Sequence, residues 1–319
     1  MDQTDIGEIM KSIKHILILF LFVTSIVAEN YAGLSGGFLR IGTSARSTSM
    51  GSAFTAEMDH GFSAYHNPAW AAFNTDKQVG FNYQTLSLDR RLAVSSFSAP
   101  LPPTAGVGVA WLSAGVTDIQ GRSSSGEKTE IMNTSEDAFF ITFSQRIKSW
   151  LSVGANFKIL RNQLPTNDGD LRGSGLGFDI GILIKSGKGQ TIGLMIQDMS
   201  SNYQWNTGDI YDEGRPYKDE FPTLYRIGTK YIFNNFLFVG DLGFITNHQT
   251  FMDILPRAGL EYVLMDQYYV RGGYGNNRFS AGIGMDYKLL KSHDSRLDYA
   301  FSMDIAGQMA HIMSYAFHF

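Results

Sequence analysis

From Lys77 to Phe319 the chain alternates apolar and polar positions with a period of two, in about fourteen segments that each hold the pattern for about nine to thirteen residues. In Leu176-Gly177-Phe178-Asp179-Ile180-Gly181-Ile182, for example, the even positions are apolar and the odd ones are Gly or Asp. The same split recurs in Phe279, Ala281, Ile283, Met285 and Tyr287 against Ser280, Gly282, Gly284, Asp286 and Lys288. It returns in Leu297, Tyr299, Phe301, Met303 and Ile305 against Asp298, Ser302 and Asp304. The pattern predicts an all-β chain, a transmembrane antiparallel up-and-down β-barrel of about fourteen strands over residues 77–319.

Connection lengths support that count. Turn-like connections fall at every second position: 100–103, 148–149, 187–189, 234–235, 265–267 and 291–295. Between them, Asp118 to Ser135, Gln163 to Gly173 and Met199 to Glu220 are long and rich in Gly, Ser, Asn and Asp, so they are expected to be loops on one rim. The connections near Asp89-Arg90 and Asn276-Asn277 are short although they belong to the loop side.

Alternation alone fits a soluble β-sandwich as well, with its apolar rows facing inward. Length favours the barrel, because a tilted membrane strand needs about nine to eleven residues and soluble strands average five or six. The polar row carries Lys158, Asp179, Arg226, Lys230, Asp241, Arg257, Glu261, Arg271, Asp286, Lys288, Asp298 and Asp304. Mixed signs predict ion pairs filling a plugged lumen in preference to a selectivity ring. The last segment places Met313, Tyr315, Phe317 and Phe319 on one face. This end resembles the terminal signal strand of bacterial outer-membrane barrels, which implies that Tyr315, Phe317 and Phe319 are read by the barrel insertion machinery and meet outer-membrane lipid.

The longest apolar run, Ile16 to Val27, is too short for a spanning helix, which needs about twenty residues. It follows Lys11, Lys14 and His15 and ends at Ala28, so residues 1–28 are expected to be a secretory signal peptide, with Met10 as an alternative start. There is no cysteine, and the net charge is −4, with a pI near 6.0 and no basic run, which leaves nucleic acid without a binding surface.

Residues 29–76 form a separate segment dominated by small residues, as in Gly42-Thr43-Ser44-Ala45-Arg46-Ser47-Thr48-Ser49-Met50-Gly51-Ser52-Ala53. Such a stretch can pack backbone-close inside a cavity, whereas a solvated linker would carry more charge. Asn67 with Pro68 behind it predicts a capped helical turn over Pro68 to Phe73. The arrangement of Phe38-Leu39-Arg40-Ile41-Gly42, Ala45-Arg46, Met50-Gly51, Ala53-Phe54 and Asn67-Pro68-Ala69 resembles the N-terminal region of the PorV/PorQ family, within the FadL-like outer-membrane barrel superfamily. The resemblance implies that Asn67, Pro68, Ala69, Arg46 and Gly51 belong to a hatch inside a fourteen-stranded barrel. Asp59-His60-Gly61 departs from the family's paired acidic residues, and Trp70 stands where Gly commonly follows the motif.

Catalytic chemistry has no support: no Gly-x-Ser-x-Gly elbow accompanies a triad, and the Gly-x-Gly pairs lie inside strands. No metal is expected either, since the acidic loops 167–170 and 209–220 lack a complete cage spacing and the seven histidines are scattered. No cofactor is expected.

Two functions remain open. The PorV/PorQ resemblance implies export or surface attachment of secreted proteins by a type IX-like system. Secreted cargo or secretion components would then contact loops bearing Tyr203, Trp205, Tyr211 and Tyr217. The wider FadL-like resemblance implies transport of small hydrophobic molecules. That function needs an apolar pocket, and Leu183, Met195 and Val239 are only scattered apolar positions on the polar row.

Overall fold

The computed structural model describes residues 33–166, 169–187, 189–247, 250–290 and 293–319; the expected leader, residues 1–28, lies outside them. The strands are β1 (Gln78–Leu86), β2 (Arg90–Leu101), β3 (Ala105–Arg122), β4 (Lys128–Lys148), β5 (Leu151–Thr166), β6 (Gly169–Gly187), β7 (Gln190–Met199) and β8 (Asn202–Asn206). They continue with β9 (Pro216–Glu220), β10 (Thr223–Phe233), β11 (Phe236–Thr246), β12 (Phe251–Leu264), β13 (Tyr268–Gly275), β14 (Arg278–Leu290), β15 (His293–Asp304) and β16 (Met309–His318).

Fourteen of these pair in chain order, with β7 beside β10 and β16 returning to β1, so the sheet closes into an antiparallel barrel. The closing register runs from Gln78 opposite His318 to Leu86 opposite Ala310. Reciprocal backbone bonds between Lys77 and Phe319, at 3.2 and 3.0 Å, finish the seam. Closure leaves no sheet edge in the hydrocarbon, where an unpaired N–H or C=O costs several kcal/mol.

The outward row is apolar and exposed, with Phe81, Tyr83, Trp111, Ile141, Phe143, Phe178, Ile283 and Met313 among its members. Trp111 and Phe139 on neighbouring strands stack 5.9 Å apart. A soluble sandwich would bury this row, so the membrane alternative holds. Tyr315 and Phe317 are half-buried on the outward row of β16, and Phe319 is exposed.

Two of the three expected loops are strand. β3 and β4 remain paired as far as Arg122 and Lys128, and β5 pairs β6 to Thr166 and Gly169. Beyond the apolar band both faces of these hairpins meet water, so the alternation fades while the hydrogen-bond ladder continues. Their strands reach 21 residues in β4, well past the expected nine to thirteen. Among the described residues the connection from β7 to β10 is the one long excursion, and it carries the small hairpin β8–β9.

Gly36 to Asn74 fills the lumen. It contains helix α1 (Ala45–Ser49), helix α2 (Ser63–His66) and 3-10 turns at Gly37–Arg40 and Pro68–Phe73. Ser44 caps α1, accepting from Ser47 N at 2.9 Å, and Asn67 caps the second turn, accepting from Ala69 N at 3.1 Å. Small residues on both surfaces let backbone meet backbone. Gly51, at φ 65°, lies so close to β13 that an added Cβ would stand 2.3 Å from Tyr274 O.

On the other side of that contact, a Cβ on Gly273 would fall 2.4 Å from Gly51 N, whereas Gly272 faces open space. We therefore expect Gly273→Val to destabilise the docked segment by about 1–3 kcal/mol. It should lower the temperature at which the barrel loses its compact gel mobility, while Gly272→Val leaves that temperature unchanged.

Candidate functional site

The lumen has two chemically distinct parts, both built by inward rows that converge only once the barrel closes. The first is a chain of charges of alternating sign running from Asp298 on β15 through Arg271, Glu261, Arg46 and Glu57 to Lys230 on β10. Arg271 donates to Asp298 and Glu261 at 2.6 Å each. Arg46 donates to Glu261 from Nε and Nη2 at 3.0 Å each, to Glu57 from Nη2 at 2.8 Å and to Met58 O from Nη1 at 2.7 Å. Lys230 closes the chain on Glu57 at 2.5 Å. Three cations and three anions cancel, so no single sign lines a path.

Further bonds tie the luminal segment to the wall. Asp241 accepts from Thr55 N at 3.1 Å, Thr55 Oγ1 at 2.7 Å and Arg226 at 2.8 Å. Asn67 Nδ2 donates to Thr55 O at 2.9 Å and lies 3.3 and 3.4 Å from Ile182 O and Leu194 O on β6 and β7. Ser152 Oγ bonds Ala69 O at 2.8 Å, and a Cβ on Gly154 would meet the Pro68 carbonyl carbon at 2.5 Å. Asn67, Pro68 and Ala69 thus occupy a fitted socket on β5 to β7. Most of the mixed-sign row expected from sequence is paired within the lumen, whereas Lys288 is exposed at the end of β14.

Burial works against the Arg46 cation, but Glu261 and Glu57 outweigh it and hold the pKa well above the ordinary value. Burial pushes His66 down, and Asp59, 3.1 Å from its Nε2, offsets only part of that.

The second part is apolar. Leu92 and Val94 of β2, Leu112 of β3, Phe140 of β4 and Leu160 of β5 point into the half of the lumen nearest the long connections. Phe62 and Tyr65 of the luminal segment lie against them. Tyr203, Trp205 and Phe221, from hairpin β8–β9 and the residue after it, fold over the top with Phe38 and Leu39. Tyr203 packs edge-on against Phe221 at 4.9 Å and against Trp205 at 5.6 Å. The excursion turns inward through Asp198 and Ser200, both at positive φ, and Lys158 fixes that turn by pairing with Asp198 and, at 2.6 Å, with Asp179.

The aromatic surface expected on this excursion is consequently divided. Tyr203 and Trp205 are buried as the underside of a lid, because the apolar wall offers them contact that water does not. Tyr211 and Tyr217 remain exposed, at 46% and 63%. Leu183, on Ala69 and Trp70, and Val239, on Met50 and Phe54, lie in separate clusters, with Met195 in neither, as the sequence suggests; what it does not suggest is that the wall residues of β2 to β5 form one larger packed apolar cluster. One polar atom in it, Tyr203 Oη, has no hydrogen-bond partner among the described residues.

Solved structures resemble this architecture across nearly their whole length. The Pseudomonas putida toluene transporter TodX matches with a TM-score of 0.60 at 14% identity, over 87% of this chain and 97% of that one. The CymD monoaromatic hydrocarbon channel gives 0.62 at 13%, covering 88% and 98%. A Pseudomonas aeruginosa FadL homologue gives 0.60 at 11%, covering 87% and 98%. The fold is that of the FadL-like barrels. No protein-family model and no curated protein sequence matches the chain. Identity this low carries the FadL-like fold and no more.

Because Arg46 joins two carboxylates, Arg46→Gln leaves Glu57 and Glu261 short of a buried partner, a loss of about 3–5 kcal/mol. Hydrogen exchange of residues 43–59 should rise sharply. Arg46→Lys restores charge without the planar fork and should recover only part of the protection. Acid should loosen the same segment. His66 is held down when docked and returns to about 6.5 when released, so the released form binds more protons between those values. Docking strength is complete above about pH 6.5 and falls as pH drops below it, and His66→Gln should flatten that part of the exchange profile.

Proposed function

We propose that the protein is a FadL-type outer-membrane channel for small hydrophobic molecules, with the apolar chamber as the solute site, hairpin β8–β9 as its lid and residues 29–76 as the hatch below it. The observation that carries this reading is the apolar cluster that fills this half of the lumen. Leu92, Leu112, Phe140 and Leu160, from four neighbouring strands, bring apolar side chains together beneath Tyr203 and Trp205 in a lumen whose other inward rows are largely polar, and an apolar guest could pack in their place. Burial pushes the Tyr203 hydroxyl far up, so it stays a donor and offers one hydrogen bond to a mainly apolar guest. The similar barrels TodX and CymD, described as a toluene transporter and a monoaromatic hydrocarbon channel, support the same choice of solute.

Passage then requires the hatch to shift, since the charge chain through Arg46 lies across the way out. Outer-membrane placement follows from this reading, with the short turns in the periplasm and the long hairpins outside. The terminal Tyr315, Phe317 and Phe319 serve as the insertion signal in the same scheme.

A second reading keeps the PorV/PorQ resemblance, with the barrel accepting secreted proteins. The exposed rings of Tyr211 and Tyr217 at the lid's outer end favour it. Stable co-purification of a secreted partner, lost in a Tyr211→Ala, Tyr217→Ala variant, would support that role.

The channel reading is tested by vesicle reconstitution. Uptake of a monoaromatic hydrocarbon should be saturable and exceed that of protein-free vesicles, with glucose excluded. Leu112→Asp, placing a charge in the chamber, should reduce uptake at least about tenfold while heat-dependent gel mobility persists. Uptake that never saturates, or that ignores the substitution, would refute the assignment.

A further inference from the structure

At the rim of short turns, opposite the chamber, the turn after β2, the turn after β4 and the end of β6 frame an open cleft of about 660 Å³ against the exit of the luminal segment. Its lining includes Arg146, Lys148 and Lys185 and no carboxylate. None of these three cations has an ion-pair partner among the described residues. Glu57, the acid that acts electrostatically on Lys185, is itself paired with Arg46 and Lys230, and Asp76 accepts from the Thr75 hydroxyl at 3.0 Å. Three like charges lining one cleft with no carboxylate among its lining residues repel one another, so the arrangement favours an added anion.

The same cleft has an apolar side. Lys185 Nζ sits 3.5 Å from the Phe73 ring centroid and 5.1 Å from that of Trp70, which holds the ammonium at the lumen mouth. Ile147, half exposed on the outward row, continues this side toward lipid. Thr104 Oγ1 accepts from Gln145 at 2.6 Å and keeps its own hydrogen to donate.

We propose that this cleft binds the phosphate headgroup of an amphiphile, with Arg146, Lys148 and Lys185 around the phosphate and the apolar portion leaving over Phe73 and Ile147. A phosphate has enough oxygens to take the fork of Arg146 and both ammonium groups together, whereas the two oxygens of a carboxylate are occupied by the fork alone. Such a headgroup comes either from a membrane phospholipid or from a single-chain phosphate ester. The site lies at the rim opposite the lid and does not depend on the chamber conducting solute.

The experiment is native mass spectrometry of the full chain in neutral maltoside micelles, with phosphatidylglycerol, dodecyl phosphate, phosphatidylcholine and inorganic phosphate added separately. One phosphatidylglycerol or dodecyl phosphate should be retained per protein, in preference to phosphatidylcholine. Tighter retention of phosphatidylglycerol identifies the membrane as the source, and tighter retention of dodecyl phosphate a soluble ester. The triple variant Arg146→Gln, Lys148→Gln, Lys185→Gln should weaken retention at least about tenfold with gel mobility intact, and Lys185→Gln alone should give an intermediate loss. Equal retention by the triple variant, equal retention of phosphatidylcholine, or inorganic phosphate binding as well as the amphiphiles would overturn the proposal.

Discussion

Backbone hydrogen bonding in hydrocarbon is the constraint from which the rest of this molecule follows. Each N–H and C=O in the bilayer must find a partner within the protein, and the pairing of β16 with β1 satisfies the last open row. Closure commits one side-chain row to lipid and gathers the other into a lumen. Large outward residues such as Phe143 and Ile283 meet the first demand. The lumen then has to be hydrated or filled, and here it is filled by a segment whose small residues and glycines allow it to lie directly on the wall.

Filling is done with two kinds of contact, and their division matters. Charges of alternating sign from Asp298 to Lys230 hold the segment by directional bonds that must break together if it moves. The apolar cluster under Tyr203 and Trp205 holds its parts mainly by contact area, with the Lys158 ion pairs fixing the turn that leads into it. The two kinds of contact sit in different parts of the lumen, the apolar one under the long connections and the bonded one across its middle.

Much of the barrel was legible because its signal is local. The alternation through Leu176 to Ile182 reports the two faces of β6 directly, and Asn67-Pro68 reports the capped turn at Pro68–Phe73. The polar row's identity was readable, while its pairings were not. Arg46 and Glu261 are 215 positions apart and meet only through closure. The extent of β3 to β6 was hidden because strands outside the bilayer lose the apolar row that marks them, although their ladders persist. The chamber was missed for a related reason. Leu92, Leu112, Phe140 and Leu160 each look like a single irregularity on its own strand, and the available clue was β2, where large Leu92 and Val94 alternate with small Ala93 and Ser95, the reverse of the usual outward preference. The burial of Tyr203 and Trp205 follows from that same unrecognised wall.

The account stands on a lumen filled by Gly36 to Asn74, and conductance across a planar bilayer tests this most directly. The intact protein should insert without giving a steady ionic current, because the paired charges and the chamber leave no continuous aqueous path. A stable, salt-dependent open-channel current from the intact chain would contradict it.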